Sequence, residues 1–171
     1  ATRAECRLRE DVHAFVALLK KYFPEFKNAE LLFTAAQTGV RETRHIKGEH
    51  VLTGEEYLNA VHFEDAVSRG AHPIDIHTAG DTTQKCQFLK NAAYIPYRSL
   101  IVPGFDNLLV AGRCFSADQV ASASVRVQAS VMGLGQAAGC AAAQCACAGT
   151  SVHKADVHTL QAMLRKWGAL I

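Results

Sequence analysis

The sequence has no Cys-x-x-Cys spacing, no long run of like charge and no Gly-x-Gly-x-x-Gly turn. Each absence excludes something. Six cysteines are present (Cys6, Cys86, Cys114, Cys140, Cys145 and Cys147), but their spacing suits neither a zinc ribbon nor a thioredoxin-type redox pair, and no metal site is expected. Cys145 and Cys147 fall in one helical stretch, where they point to different faces and cannot pair with each other. They read as buried free thiols, since Cys behaves as a small hydrophobe. Free thiols favour a reducing, cytoplasmic setting. A net charge of +2 with no basic run argues against a nucleic-acid partner or a membrane-surface partner. The start, Ala1-Thr-Arg-Ala-Glu-Cys6, has neither Met nor a signal pattern, and helical periodicity begins almost at once. That start suggests a fragment or a processed chain.

What is present is an ordinary globular composition: 49% hydrophobic and 20% charged residues in a chain of 171. A core can form, and disorder is excluded. Arg7 to Phe23 carries Val12, Phe15, Val16, Leu19 and Phe23 at helical spacing and stops at Pro24. Ala29 to Thr38 reads as a strand, and Val40 to Ile46 as extended chain. Thr53-Gly-Glu-Glu56 is a capping-box start for a short helix carrying Tyr57, Leu58 and Val61. Ala71 to His77 reads as a strand, and Tyr94 to Arg98 as extended chain. Asn107 to Ala111 is a short apolar run that suits a strand buried on both faces. A small-residue helix follows from about Val125 to Ala148, with Gly149 as its C-cap. A last helix spans about Lys154 to Leu170. The run Ala129 to Ala148 approaches the length of a membrane span. Gln136 and Gln144 interrupt it, and its bulk is Ala and Gly. A buried helix with close backbone approach is the favoured reading, so no membrane partner is expected.

The stretch from Asn107 to Gly139 carries the chemistry. A run of apolar residues ends at Gly112, a loop follows, and a Gly- and Ala-rich helix opens. Glycine permits close approach of a ring or phosphate, and free N–H groups at a helix start attract negative charge. Tight helix-to-strand packing would leave the same pattern.

Four ordered motifs then carry a resemblance. They are Gly39-Val-Arg-Glu-Thr-Arg44, Arg69-Gly-Ala-His-Pro-Ile-Asp-Ile-His77, Ile95-Pro-Tyr-Arg-Ser-Leu100, and Asn107-Leu-Leu-Val-Ala-Gly-Arg-Cys-Phe-Ser116 with Ser124-Val-Arg-Val127 and Gly135-Gln-Ala-Ala-Gly139. Together they resemble the FAD-dependent oxidoreductases, glutathione-reductase-like flavoproteins, over most of Phe23 to Ala148. The resemblance implies an α+β chain forming the C-terminal part of a two-domain FAD-binding fold, incomplete without an N-terminal Rossmann segment. Residues 1–100 would belong to a partial substrate or cap domain, and 101–171 to the FAD-binding domain.

The resemblance also implies site residues. Gly112 and Arg113 would lie near the ribityl or pyrophosphate part of FAD. The helix at Met132-Gly-Leu-Gly-Gln136 would aim its N-terminus at the flavin pyrimidine edge through Gly133, Leu134, Gly135 and Gln136, with Arg126 on the segment entering it. Arg41 and Arg44 would face the isoalloxazine from the substrate side, for an oxygen-rich or anionic small-molecule substrate. Arg98 and His77 are further candidates, His77 for proton transfer. For Arg41 and Arg44 the alternative is a structural ion pair between Glu42 and a neighbouring Arg. The family often has a His in the loop after Gly-Arg-Cys; here that loop, Ser116-Ala-Asp-Gln-Val-Ala121, has none. Gly133-Leu-Gly135 only begins the dinucleotide fingerprint, since position 138 is Ala. FAD is therefore expected for the parent protein rather than for this chain alone, and the chain alone is expected to be inactive. Its partner is expected to be a missing N-terminal half or a second copy. The competing reading is a non-catalytic remnant that acts as a structural or self-associating module.

Overall fold

A computed structural model describes residues 2–76 and 85–171. The chain divides into two units, Ala1–Val40 and Arg41–Ile171.

In the first unit, helix α1 (Thr2–Tyr22) begins five residues earlier than the periodicity indicated, and a short 3-10 turn follows at Pro24–Phe26. The strand expected over Ala29 to Thr38 does not form: the segment is irregular, and Leu32 and Phe33 are exposed. A lone strand has no ladder to satisfy its backbone. Side chains of α1 hold this segment instead. Arg9 donates to the Thr34 hydroxyl and to the Ala35 carbonyl, and the Thr38 N–H donates to Glu5 at 2.9 Å.

The second unit is a mixed α and β structure. Helix α2 (Gly54–Leu58) starts at the expected capping box, with the Glu56 N–H donating to Thr53 Oγ1 at 3.2 Å and the Thr53 N–H to Glu56 Oε2 at 2.8 Å. Val61 lies beyond its end. Strand β1 (Ala66–Gly70), which alternation in the sequence did not mark, pairs antiparallel with β4 (Ala93–Pro96) across a bulge near Ala66 and Ser68. Strand β2 (Ile74–Ile76) begins three residues later than the expected start at Ala71 and pairs antiparallel with β3 (Lys85–Gln87).

Asn107 to Ala111 is not the doubly covered strand expected. The turn after Val102 folds it back so that Leu109 makes a single antiparallel bridge with Ile101, the Val110 N–H reaches Leu100 O at 2.8 Å, and Leu108 is exposed. The expected long helix forms as α4 (Gln128–Ala148), starting three residues later than Val125; a separate helix α3 (Gln119–Val125), which the sequence did not mark, precedes it and is followed by Arg126 and extended Val127. Gly149 caps α4 at φ 64°, as expected. Helix α5 (Val157–Lys166) is the shorter form of the last expected helix.

By length and composition α4 could cross a bilayer. In this structure it packs on β1 and α5, and Leu134, Ala137, Ala141 and Cys145 enter the core with Tyr57, Val67, Ile95, Leu100, Phe115, Leu160 and Leu164. All six cysteines are free, but only Cys140 and Cys145 are buried; the other four are exposed because they lie on loops, an edge strand or outward helix faces.

Asp118 holds two elements at once. Its Oδ1 caps α3 by accepting from the Ala121 N–H at 2.8 Å, and its Oδ2 accepts from the Gly54 N–H at the start of α2, also at 2.8 Å. Each capping bond contributes about 1 kcal/mol. Asp118→Ala should therefore lower the unfolding free energy in urea by about 2 kcal/mol, and Asp118→Asn, with one acceptor oxygen, by about half of that.

A second tie is ionic. His153, in the turn between α4 and α5, faces Glu49 through Nδ1 and the Phe105 carbonyl through Nε2, so the charged ring donates to both. The Glu49 bond raises the His153 pKa against desolvation, with the Phe105 carbonyl and the negative charges of Glu49 and Asp106 adding to the rise. A raised pKa means that stability from this tie is fully present below the ordinary histidine range and is lost as pH rises through the folded value. Urea midpoints measured across that range should fall with rising pH, and His153→Gln should remove that part of the slope.

Candidate functional site

Extended residues 46–52 run beside residues 114–118. The Ile46 N–H donates to Cys114 O at 2.9 Å, the Leu52 N–H to Ser116 O at 3.1 Å and the Asp118 N–H to Leu52 O at 2.9 Å, and Leu52 and Ala117 form a parallel bridge. Gly48 is required here, because a Cβ at that position would lie 2.8 Å from the Ser116 Cβ. This pairing brings residues 41–45 to the turn at 112–115 and to the junction of α3 and α4.

The turn is closed by the Phe115 N–H on Gly112 O at 3.2 Å, with Gly112 at φ 97°, a conformation that disfavours a side chain. Arg113 and Cys114 are exposed on it. At the junction, extended Val127 separates the helices. The first intrahelical bond of α4 is Val131 N–H to Val127 O at 3.1 Å, and no side chain caps this end among the described residues. The N–H groups of the first turn therefore point outward as a partial positive charge.

Four charged groups and a histidine meet there. Arg126, whose side chain is 14% exposed, donates to Glu42 Oε2 at 3.5 Å and to the Asp75 carbonyl at 3.2 Å. Arg41, 61% exposed, reaches Asp75 Oδ2 at 3.8 Å. Glu42 also faces His45 Nε2 at 3.2 Å, and His45 Nδ1 faces the Phe115 carbonyl at 3.1 Å.

The structure thus brings Arg41 and Arg126 to one cluster, joined through Asp75. Glu42 does form the ion pair weighed as an alternative, but with Arg126, far along the chain. Arg44 is exposed on the same extended segment. His77 lies outside the described residues. Arg98 is held elsewhere: its Nε and Nη2 donate to Asp65 at 3.0 and 3.3 Å, and that pairing raises its pKa.

The glycine-rich residues of α4 are placed differently. The helix starts at Gln128, so Met132 is already in its second turn and 72% exposed. Gly133 lies against β1, where a Cβ would sit 2.6 Å from Ser68 Oγ, and Leu134 is fully buried. Gly135 and Gln136 line an apolar groove of about 610 Å³ between α4 and α5, with Cys140, Met163 and Trp167. They stand roughly 10 Å along the axis from the start of α4. Sequence reasoning missed His45 and Asp75. A signal for His45 was present, an imidazole three residues after Glu42 in a run of arginines; Asp75 lies within the Arg69 to His77 motif, but nothing in that motif singled it out.

A family model described as FAD dependent oxidoreductase matches residues 1–164. The chain belongs to the FAD dependent oxidoreductase family. No curated protein and no solved structure matches it significantly. The family implies FAD as the cofactor of the parent protein. The donors at the cluster suit the electron-rich part of such a group: two guanidinium groups, the uncapped first turn of α4 and a Gly112 whose Cβ position meets nothing within 4 Å. The sequence supplies no Gly-x-Gly-x-x-Gly turn for the pyrophosphate.

Arg126 should matter to the apo fold as well, because its removal takes one donor from the Asp75 carbonyl and one from Glu42. Arg126→Ala should lower the urea unfolding free energy by about 1–2 kcal/mol, whereas Arg44→Ala, on an exposed side chain, should change it by less than about 0.5 kcal/mol.

Proposed function

We propose that this chain forms the flavin-side and substrate-side part of an FAD-dependent oxidoreductase, the C-terminal portion of a glutathione-reductase-like flavoprotein. The observation that carries this reading is the meeting of Arg41 and Arg126 at the uncapped start of α4 in a chain of this family. FAD, when bound, supplies the centre that exchanges a hydride with the substrate.

The chain's own residues bind and orient. Arg126 and the first-turn N–H groups of α4 hold negative charge at the flavin pyrimidine edge. Gly112 and Arg113 give the ribityl and pyrophosphate portion a turn without side-chain obstruction. Arg41 and Arg44 bind an oxygen-rich or anionic substrate through their planar forks, and His77 moves its proton. Gly133 and Leu134 act indirectly, by seating α4 closely on β1, and Gly135 and Gln136 continue that helix beneath the site. Residues 101–171 belong in this reading to the FAD-binding domain and the preceding residues to the substrate side. The adenosine and pyrophosphate half of FAD needs a fingerprint that this chain does not contain, so the chain alone binds flavin weakly and is inactive.

Titration of riboflavin or FMN, followed by flavin fluorescence, tests the assignment. The chain should give saturable but weak binding that does not survive gel filtration. Arg126→Ala should weaken it about tenfold, a difference of about 1.4 kcal/mol. AMP should not compete. Competition by AMP, or wild-type affinity in Arg126→Ala, would overturn the reading.

A further inference from the structure

His45 belongs to neither the family motifs quoted above nor the proposed set of binding residues, yet its ring is a link in a continuous chain of contacts. The chain runs from the Phe115 carbonyl to His45 Nδ1 (3.1 Å), from His45 Nε2 to Glu42 Oε1 (3.2 Å), from Glu42 Oε2 to Arg126 Nη1 (3.5 Å) and from Arg126 Nη2 to the Asp75 carbonyl (3.2 Å). It joins the turn at 112–115, the extended segment 41–46, the α3–α4 junction and β2. Glu42 uses one oxygen for the imidazole and the other for the guanidinium, so a change at one oxygen alters the carboxylate that the other presents.

We propose that His45 is a positioning residue for Arg126, acting through Glu42 and sensitive to its own protonation. The physical reason lies in the acceptors. Both ring nitrogens face oxygens that carry no hydrogen, a carbonyl and a carboxylate, so only the imidazolium donates to both. The neutral ring has one donor. If it serves Phe115, a lone pair faces Glu42; if it serves Glu42, a lone pair faces the Phe115 carbonyl. Either tautomer opposes one contact, and the loss of the ring's charge leaves Glu42 to pair with Arg126 alone. A Glu42 that faces an uncharged ring, in either tautomer, draws the guanidinium more strongly towards itself. Protonated His45 shares Glu42 and leaves more of the Arg126 fork to other acceptors.

The titratable and charged groups on the elements around His45 are Arg41, Glu42, Arg44 and Lys47 on its own segment, Arg113 and Cys114 on the turn and paired segment, Asp75 on β2 and Arg126 at the helix junction. The arginines keep their charge throughout. The side chains His45 and Glu42 are 17% and 27% exposed, so solvent screens the contact only in part.

The relevance of the relay to catalysis rests on the reading of Arg126 as a flavin-side cation, but its test does not need flavin. Side-chain NMR of the full chain, with 15N-labelled arginine and histidine, follows the Arg126 guanidinium and the His45 ring across a pH titration. The Arg126 signals should shift with the same midpoint as His45. In Glu42→Gln the Arg126 signals should no longer follow those of the His45 ring. His45→Lys keeps a permanent cation beside Glu42 and should hold Arg126 at its low-pH position throughout; His45→Gln should hold it at the high-pH position. An Arg126 signal that ignores His45 in the wild-type chain, or one that still follows it in Glu42→Gln, overturns the relay. Either result leaves the flavin reading untouched, just as a failed FMN titration would leave the relay untouched.

Discussion

The candidate site depends on one long-range pairing, that of residues 46–52 with 114–118. The two segments are more than sixty residues apart in the sequence, and closing a loop of that length opposes folding through chain entropy. Burial offsets it: Leu52 and Phe115 are among the least exposed side chains of the chain, and both belong to the main core. The pairing also has a steric condition, since only glycine at position 48 lets the backbone approach Ser116. At its far end Asp118 turns the paired segment into a cap for both α2 and α3. The direction in which α3 leaves, and hence the point at which Arg126 meets Glu42, follows from that cap.

Local signals were legible in the sequence and non-local ones were not. The Thr53 to Glu56 capping box, the amphipathic pattern of α1 and the glycine cap of α4 each depend on a few consecutive residues, and each formed as expected. The strand expected at Ala29 to Thr38 failed because strand pattern without a pairing partner has no ladder. Strand β1 was missed for the opposite reason: Ser68, Arg69 and Gly70 have little strand character, and the pairing with β4 imposes the extended form. Asn107 to Ala111 has the apolar content of a buried strand, yet the preceding turn gives it one bridge and leaves Leu108 in solvent.

The same division holds in the site. Arg41 and Arg126 were named from motif resemblance, but nothing in the sequence said that Asp75 would stand between them or that Glu42 would choose an arginine 84 residues away. Gly112 and Gly133 show how one pattern carries two meanings. Close approach to a ligand and close approach to a strand both call for the absence of a side chain. Gly133 against Ser68 satisfies the second, and Gly112, with open space at its Cβ position, is compatible with the first.

Electrostatics at the start of α4 explains why acids accompany the arginines. The N-terminus of a 21-residue helix carries partial positive charge, so a cation there is disfavoured. Arg126 nevertheless sits beside it, with Arg41 one carboxylate away. Glu42 and Asp75 make this tolerable in the absence of any ligand by offsetting the two guanidinium charges. The offset is incomplete by geometry: Arg126 engages Glu42 at 3.5 Å and Arg41 engages Asp75 at 3.8 Å, long for charge-assisted bonds, which run nearer 2.7–2.9 Å. Among the described residues these two ion pairs are long, and the proposed flavin-side role would draw on the donors of both forks and of the helix turn. Without a ligand, the two carboxylates offset the mutual repulsion of the guanidinium groups.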